Sequence, residues 1–180
     1  MNPHGARRVM IRPATVEDVT QIAEVHVRGW QVGYRGLLPQ PLLDGLRPGD
    51  REPRWATTVR NSCLPDRGVL VAVAAARVVG FANLRPTRDE DQDPTEVGEI
   101  TSFYVLPTVW GRGVGHALMA AAERTLHAGG FSFATLWVLQ GNLRAMRFYT
   151  HAGWVPDGIV KDDAVGGAAI RDLRYRRELR

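Results

Sequence analysis

Chemistry in this chain is concentrated between Phe103 and Leu118. There an apolar, β-rich run (Phe103, Tyr104, Val105) ends at Pro107, and glycines follow at 111, 113 and 115 before a helical pattern begins. Glycine lets backbone approach a ligand with no Cβ in the way. The first N–H groups of a helix have no internal partner, and the helix dipole adds partial positive charge there. Arg112 adds a full one. Gly111, Arg112, Gly113, Val114, Gly115 and His116 are therefore read as a pyrophosphate cradle. Fourteen residues before Gly113 stands Glu99, beside Ile100. A partly buried carboxylate there would have its pKa raised toward that of a useful base; the plainer reading is an exposed strand residue. Downstream, Tyr149 carries a phenol whose ordinary pKa of roughly 10 keeps it protonated at neutral pH. It suits a general acid or, more plainly, a packed aromatic. Asn142 is placed as the N-cap of the helix that bears it.

Other phosphate sites fail on their own terms. A dinucleotide fingerprint, G-x-G-x-x-G/A, started at Gly111 ends on His116, and started at Gly113 ends on Leu118. Phe131 stands where a ribose-binding acid belongs. A P-loop needs G-K-[ST], and the one lysine, Lys161, is far away.

The segment instead resembles the acyl-CoA loop, Q/R-x-x-G-x-G/A, of the Gcn5-related N-acetyltransferase (GNAT) superfamily, with Trp110 replacing the usual Gln or Arg. The stretch Asn142–Trp154 is similar to the family's N-x-x-A-x-x-F-Y-x-x-x-G-F/W segment at Asn142, Ala145, Phe148, Tyr149, Gly153 and Trp154. Glu99–Pro107 looks like its fourth strand and Ile11–Val19 like its N-terminus. The resemblance implies an α/β domain over residues 1–180: a mixed, partly splayed sheet of about seven strands flanked by about four helices. It implies an acyl-CoA-dependent N-acetyltransferase that moves an acetyl group from acetyl-CoA to a primary amine by direct attack in a ternary complex. Backbone at Phe103, Tyr104 and Val105 would hold the pantetheine arm. Asn142 would also touch the cofactor, Tyr149 would donate the proton, and Glu99 or a water chain would accept one. Dimerisation, common in the family, would make a homodimer. The competing reading is a catalytically inactive module that binds acyl-CoA as a sensor or partner.

Trp30, Tyr34 and Trp55 are candidates for an aromatic acceptor wall, with core packing the default for Trp55; His26 is a further candidate for the acceptor cleft. The acidic loop Asp89–Asp93 would draw a small cationic amine if it folded over that cleft. No histidine has a partner at ligand spacing, so no metal is expected.

Apolar and charged fractions of 44% and 23% are those of a soluble globular chain. The longest apolar run, Val69–Ala76, is too short for a bilayer, and residues 1–8 show no apolar signal core behind them. A bacterial, cytoplasmic protein is expected, its single Cys63 a bystander thiol. The net charge of +4 is carried by arginine. The tail Arg174–Arg180 is read as a last strand with alternating exposed arginines, not as a nucleic-acid arm. Periodicity places helices over 114–128, closed by Gly129-Gly130, and over 143–151. Another, capped by Asp50, covers 51–60.

Overall fold

The computed structural model describes residues 9–180; the reading of residues 1–8 lies outside them. The chain runs β1 (Met10–Pro13), α1 (Val19–Gly33), α2 (Gln40–Gly45), α3 (Glu52–Arg60), β2 (Gly68–Ala74), β3 (Arg77–Pro86), β4 (Val97–Val105), α4 (Val114–Ala128), β5 (Phe133–Leu139), α5 (Leu143–His151), β6 (Val155–Val165) and β7 (Ala168–Glu178). Seven strands form one sheet in the order β1-β2-β3-β4-β5-β7-β6. Neighbours are antiparallel except β4 and β5, which run parallel because α4 crosses between them. Five α-helices stand against the sheet, where about four are expected.

Local chemistry sets the boundaries. Gly113, at φ +78°, turns the chain into α4. Gly129 ends it by donating to the Thr125 and Leu126 carbonyls at 3.0 Å each. Asn142 Oδ1 accepts the Ala145 N–H at 3.2 Å and starts α5. Ahead of α1, Asp18 accepts the Thr15 N–H at 2.8 Å and a forked pair from Arg12 at 2.6 and 2.9 Å. Asp50 does not cap α3. It closes a short 3₁₀ turn, Pro48–Asp50, and the helix begins one residue later than expected, at Glu52. Pro53 explains the shift, since its missing N–H and fixed φ suit a first helical turn.

Each face of the sheet has its own core. On one, Leu118, Met119, Ala122 and Leu126 of α4 pack on Ala82, Leu84, Ile100 and Leu136. On the other, Ile22 and Val25 of α1 and Trp55 of α3 pack on Val69, Val71 and Phe81. Each fully buried Leu or Ile contributes roughly 1.5–3 kcal/mol. Leu38 and Leu43 pack on Leu139 and hold the α1–α2 segment over the end of β5.

The sheet opens at one place. Pairing between β4 and β5 stops at Ile100–Leu136, while β5 continues against β7 as far as Leu139–Asp172. Thr101 is bulged out of the β3–β4 ladder, which steps from Leu84–Ile100 to Asn83–Ser102. Asn83 Nδ2 holds the bulge by donating to Thr101 Oγ1 at 2.7 Å. Beyond it the two parallel strands diverge.

Candidate active site

The divergence opens into a cleft of about 390 Å³. Its lining comes from Thr101–Val105 of β4, the glycine turn, Trp137 and Val138 of β5, the start of α5, Gly29 and Gly33 of α1, and Tyr34 just beyond it. The Leu106 N–H bonds the Val79 carbonyl at 2.8 Å. Antiparallel alternation then turns the N–H and C=O of Phe103 and Val105 away from β3, into the gap. One of these groups is taken: Trp110 Nε1 donates to the Val105 carbonyl at 2.8 Å, and the Arg144 guanidinium lies 4.1 Å from the centre of the Trp110 ring.

At the mouth of the cleft the first internal bond of α4 is Ala117 N–H to Gly113 O, 3.0 Å. The N–H groups of Val114, Gly115 and His116 therefore have no partner within the helix. Gly111 and Gly113 have φ of +72° and +78°, values that disfavour side-chain-bearing residues. Gly115 is required for a different reason: a Cβ there would lie 3.2 Å from the Phe148 ring. That ring stacks on Phe103 with centroids 5.5 Å apart and also meets His116 edge-on. Gly113 and Gly115 line the cleft, whereas the Arg112 side chain is exposed beside it.

Tyr149 points into the cleft from α5 and is 7% exposed. Burial, helped by Tyr104, pushes its phenol well above the ordinary value, so it is a neutral O–H at any physiological pH. Among the described residues nothing hydrogen-bonds its hydroxyl. The Tyr104 side chain points to the opposite face of the sheet. There Trp30 Nε1 donates to its hydroxyl at 2.9 Å, and the Tyr34 hydroxyl lies 3.4 Å away. Burial also raises the Tyr34 phenol well above its usual range, with Tyr104, Tyr149 and Asp172 adding to the effect. Three tyrosine hydroxyls thus converge on the gap from both faces. Tyr34 lines the cleft and Trp30 stands behind it; His26 and Trp55 form the layer beneath.

Glu99 sits on the same face as Tyr104 but below the cleft and does not line it. It is 3% exposed and contacts Arg88 at 3.4 Å. Beside it, Arg85 keeps a buried Nε without a partner. The acidic loop departs from expectation. Arg174, 3% exposed, binds Asp89 at 3.1 Å, Asp91 twice at 2.7 Å and Asp157 at 2.7 Å. Asp89 also accepts from Trp137 Nε1 at 3.2 Å. The buried guanidinium holds two of the loop's four acids, Asp89 and Asp91, and no residue of the loop lines the cleft, so the loop is not an acidic lure there. The same contacts overturn the reading of Arg174 as an exposed strand arginine. Motif reading missed Trp137, Arg144 and the Tyr104 side chain.

Among the described residues no cluster of metal-ligating side chains is present, and no helix is long and apolar enough to cross a membrane.

A split parallel pair beside a glycine turn, with a tyrosine hydroxyl in the gap, is an acyltransferase-type fold. Residues 37–154 match the model of the acetyltransferase (GNAT) family. The chain belongs to that family and is an N-acetyltransferase. It is 29% identical over 167 residues to the uncharacterised N-acetyltransferase YuaI of Bacillus subtilis (strain 168), covering 92% of this chain and 90% of that one. An uncharacterised N-acetyltransferase of Archaeoglobus fulgidus is 37% identical over 139 residues, 77% of this chain and 88% of its own. In fold the chain is similar to PaiA N-acetyltransferase of Thermoplasma acidophilum in complex with coenzyme A (TM-score 0.75, 20% identity, 95% and 99% of the two chains). It is also similar to YncA of Salmonella typhimurium, solved with its cofactor acetyl-CoA (TM-score 0.72, 18% identity, 96% and 95%).

Proposed function

We propose that this chain transfers an acetyl group from acetyl-CoA to a primary amine by direct attack in a ternary complex. The observation that carries the reading is the open β4 edge beside the free N-terminus of α4. A backbone ladder for the pantetheine amides and a cluster of N–H donors for the pyrophosphate lie on one continuous cleft. Acetyl-CoA supplies an activated acyl thioester there.

The protein's own groups divide the remaining work. The backbones of Gly111, Arg112, Gly113, Val114, Gly115 and His116 cradle the phosphates, and Arg112 adds charge. Free N–H groups of Phe103 and Val105 orient the acyl arm by strand addition and stand ready for the oxygen that becomes negative. Asn142 caps α5 with its oxygen and keeps its amide nitrogen for the ligand. Tyr149 donates a proton to the departing sulfur; its neutral, unpartnered hydroxyl supports that role. Tyr34, with Trp30 behind it, walls the acceptor side across the gap. Glu99, on that face beneath Ser102, is the proton acceptor through water, because no direct line reaches it from the cleft.

The test is thiol release from acetyl-CoA with a panel of primary amines, with mass spectrometry of the product. An amine gaining one acetyl group, with release dependent on that amine, is expected. Tight CoA binding with no transfer to any amine would overturn the enzymatic assignment and leave an acyl-CoA-binding module.

A further inference from the structure

Most acidic side chains near the acceptor side of the sheet already have a cation. Asp89, Asp91 and Asp157 hold Arg174, Glu99 has Arg88, and Asp162 has Arg171 at 2.7 Å. Asp172 is different. It is half-buried, and among the described residues its carboxylate has no hydrogen-bond or salt-bridge partner.

Register locates it. Asp172 pairs with Leu139 across β5–β7, and Arg174 pairs with Trp137. Paired residues, and residues two apart on a strand, share a face. Asp172 therefore stands on the face where Tyr34 packs over Leu139, about 7 Å beyond the Trp137–Arg174 row. Asp172 does not itself line the cleft, but it lies close enough to Tyr34, which does, to help raise that phenol's pKa. The groups that face it are Lys161, its exposed cross-strand neighbour, Asp163 on the same strand as Lys161, and Tyr34. Arg174 is fully occupied. With Asp172 counted, two carboxylates and one ammonium leave the spot net negative. Burial holds the Asp172 carboxyl above its ordinary range, against the pull of Lys161 and with the push of Asp163. A group so placed gains most from a ligand that brings its own positive charge.

We propose that Asp172 is the acceptor-recognition carboxylate, binding a second cationic group of a diamine whose first amine sits between Trp137, Ser102 and Tyr104 at the gap. This rests on the N-acetyltransferase reading above and names its substrate class. The span of about 7 Å between the Trp137 row and Asp172 suits two amines joined by four or five methylenes. Asp172 touches the substrate's distal end and takes no part in bond-making.

The experiment compares kcat/KM for three acceptors of matched length: 1,5-diaminopentane, pentylamine and 5-aminopentanoate. Wild type should prefer the diamine over pentylamine by about 10- to 100-fold, the range for a hydrogen bond to a charged group. Asp172→Asn should collapse that ratio toward one, through KM for the diamine, with CoA affinity by calorimetry held. Asp172→Lys should move the preference to 5-aminopentanoate. A diamine-to-pentylamine ratio that survives Asp172→Asn overturns the proposal while leaving the enzyme assignment intact. So does a wild-type preference for 5-aminopentanoate, which would point to Arg85 and Arg88. If none of the amines in the panel releases thiol, the assignment and the proposal fall together. If other amines are acetylated and the diamine is not, only the diamine class falls.

Discussion

Acidification should destabilise this fold through one buried imidazole. His26 is 6% exposed and enclosed by aromatic rings, with centroids 5.1 Å from Tyr104, 5.5 Å from Trp55, 5.9 Å from Trp30 and 6.1 Å from Phe81. Trp55 Nε1 donates to its Nδ1 at 3.0 Å, which requires that nitrogen to be unprotonated. Burial first, then repulsion from Arg51 and Arg54, pushes its pKa down to about 4 from the ordinary 6.5. Between those two pH values the unfolded chain binds a proton that the folded chain refuses. The contribution is fully present above pH 6.5 and is lost as pH falls through the window toward 4. At about 1.36 kcal/mol per pH unit the loss reaches about 3 kcal/mol by pH 4. His26→Gln keeps an acceptor for Trp55 and does not titrate. Urea melts of both proteins at pH 7 and pH 4 cancel the carboxylates they share, including Asp18, whose pKa Arg12 holds down. Wild type should lose about 3 kcal/mol more than His26→Gln on acidification. Equal losses, or an NMR titration of His26 centred near the ordinary value, would refute the argument.

Four further outcomes follow from the site. Tyr149→Phe should lower kcat by about 10²–10⁴ with little change in KM for acetyl-CoA; an unchanged kcat with chemistry rate-limiting returns Tyr149 to packing. Gly115→Val should abolish CoA binding by calorimetry in a folded protein, because the added side chain drives Phe148 off Phe103; wild-type affinity would remove Gly115 from the cradle. Glu99→Gln should lower kcat/KM for the amine with CoA affinity unaltered, whereas an unchanged kcat/KM places the base elsewhere. Gly29→Ala would set a Cβ 2.6 Å from Tyr104 Cδ1. It should cost about 1–3 kcal/mol and raise KM for the amine by breaking the Trp30–Tyr104 bond; a neutral effect on both would show that the ring moves freely.

The elements flanking the glycine turn were legible because their signals are local. The limits of α4 and α5 follow from Gly113, Gly129-Gly130 and Asn142, which act within a turn of where they stand. The Trp137–Arg174 side of the cleft depends on contacts distant in sequence. Arg174 reads as one more arginine in an alternating strand until acids 85, 83 and 17 residues away converge on it. Trp137 belongs to no motif, and its place in the cleft depends on where β4 and β5 stop pairing, which strand composition does not encode. Asp50 failed as a cap because Pro53 settled the start of α3 first.

The Arg174 node also constrains how this protein can diverge. It joins the β3–β4 loop, the β6–β7 hairpin and, through Asp89, the Trp137 indole. Replacing Arg174 alone leaves three carboxylates without their shared cation, at about 3–5 kcal/mol, a large share of what holds a domain of this size together, whereas replacing one of the acids still leaves the guanidinium two. Arg174 is therefore energetically coupled to Asp89, Asp91 and Asp157, and the cheapest way to lose it is together with them. Within the same loop, Glu90 carries no such obligation. Changes on the proposed acceptor side escape that penalty at positions outside the node, such as Tyr34 and Asp172.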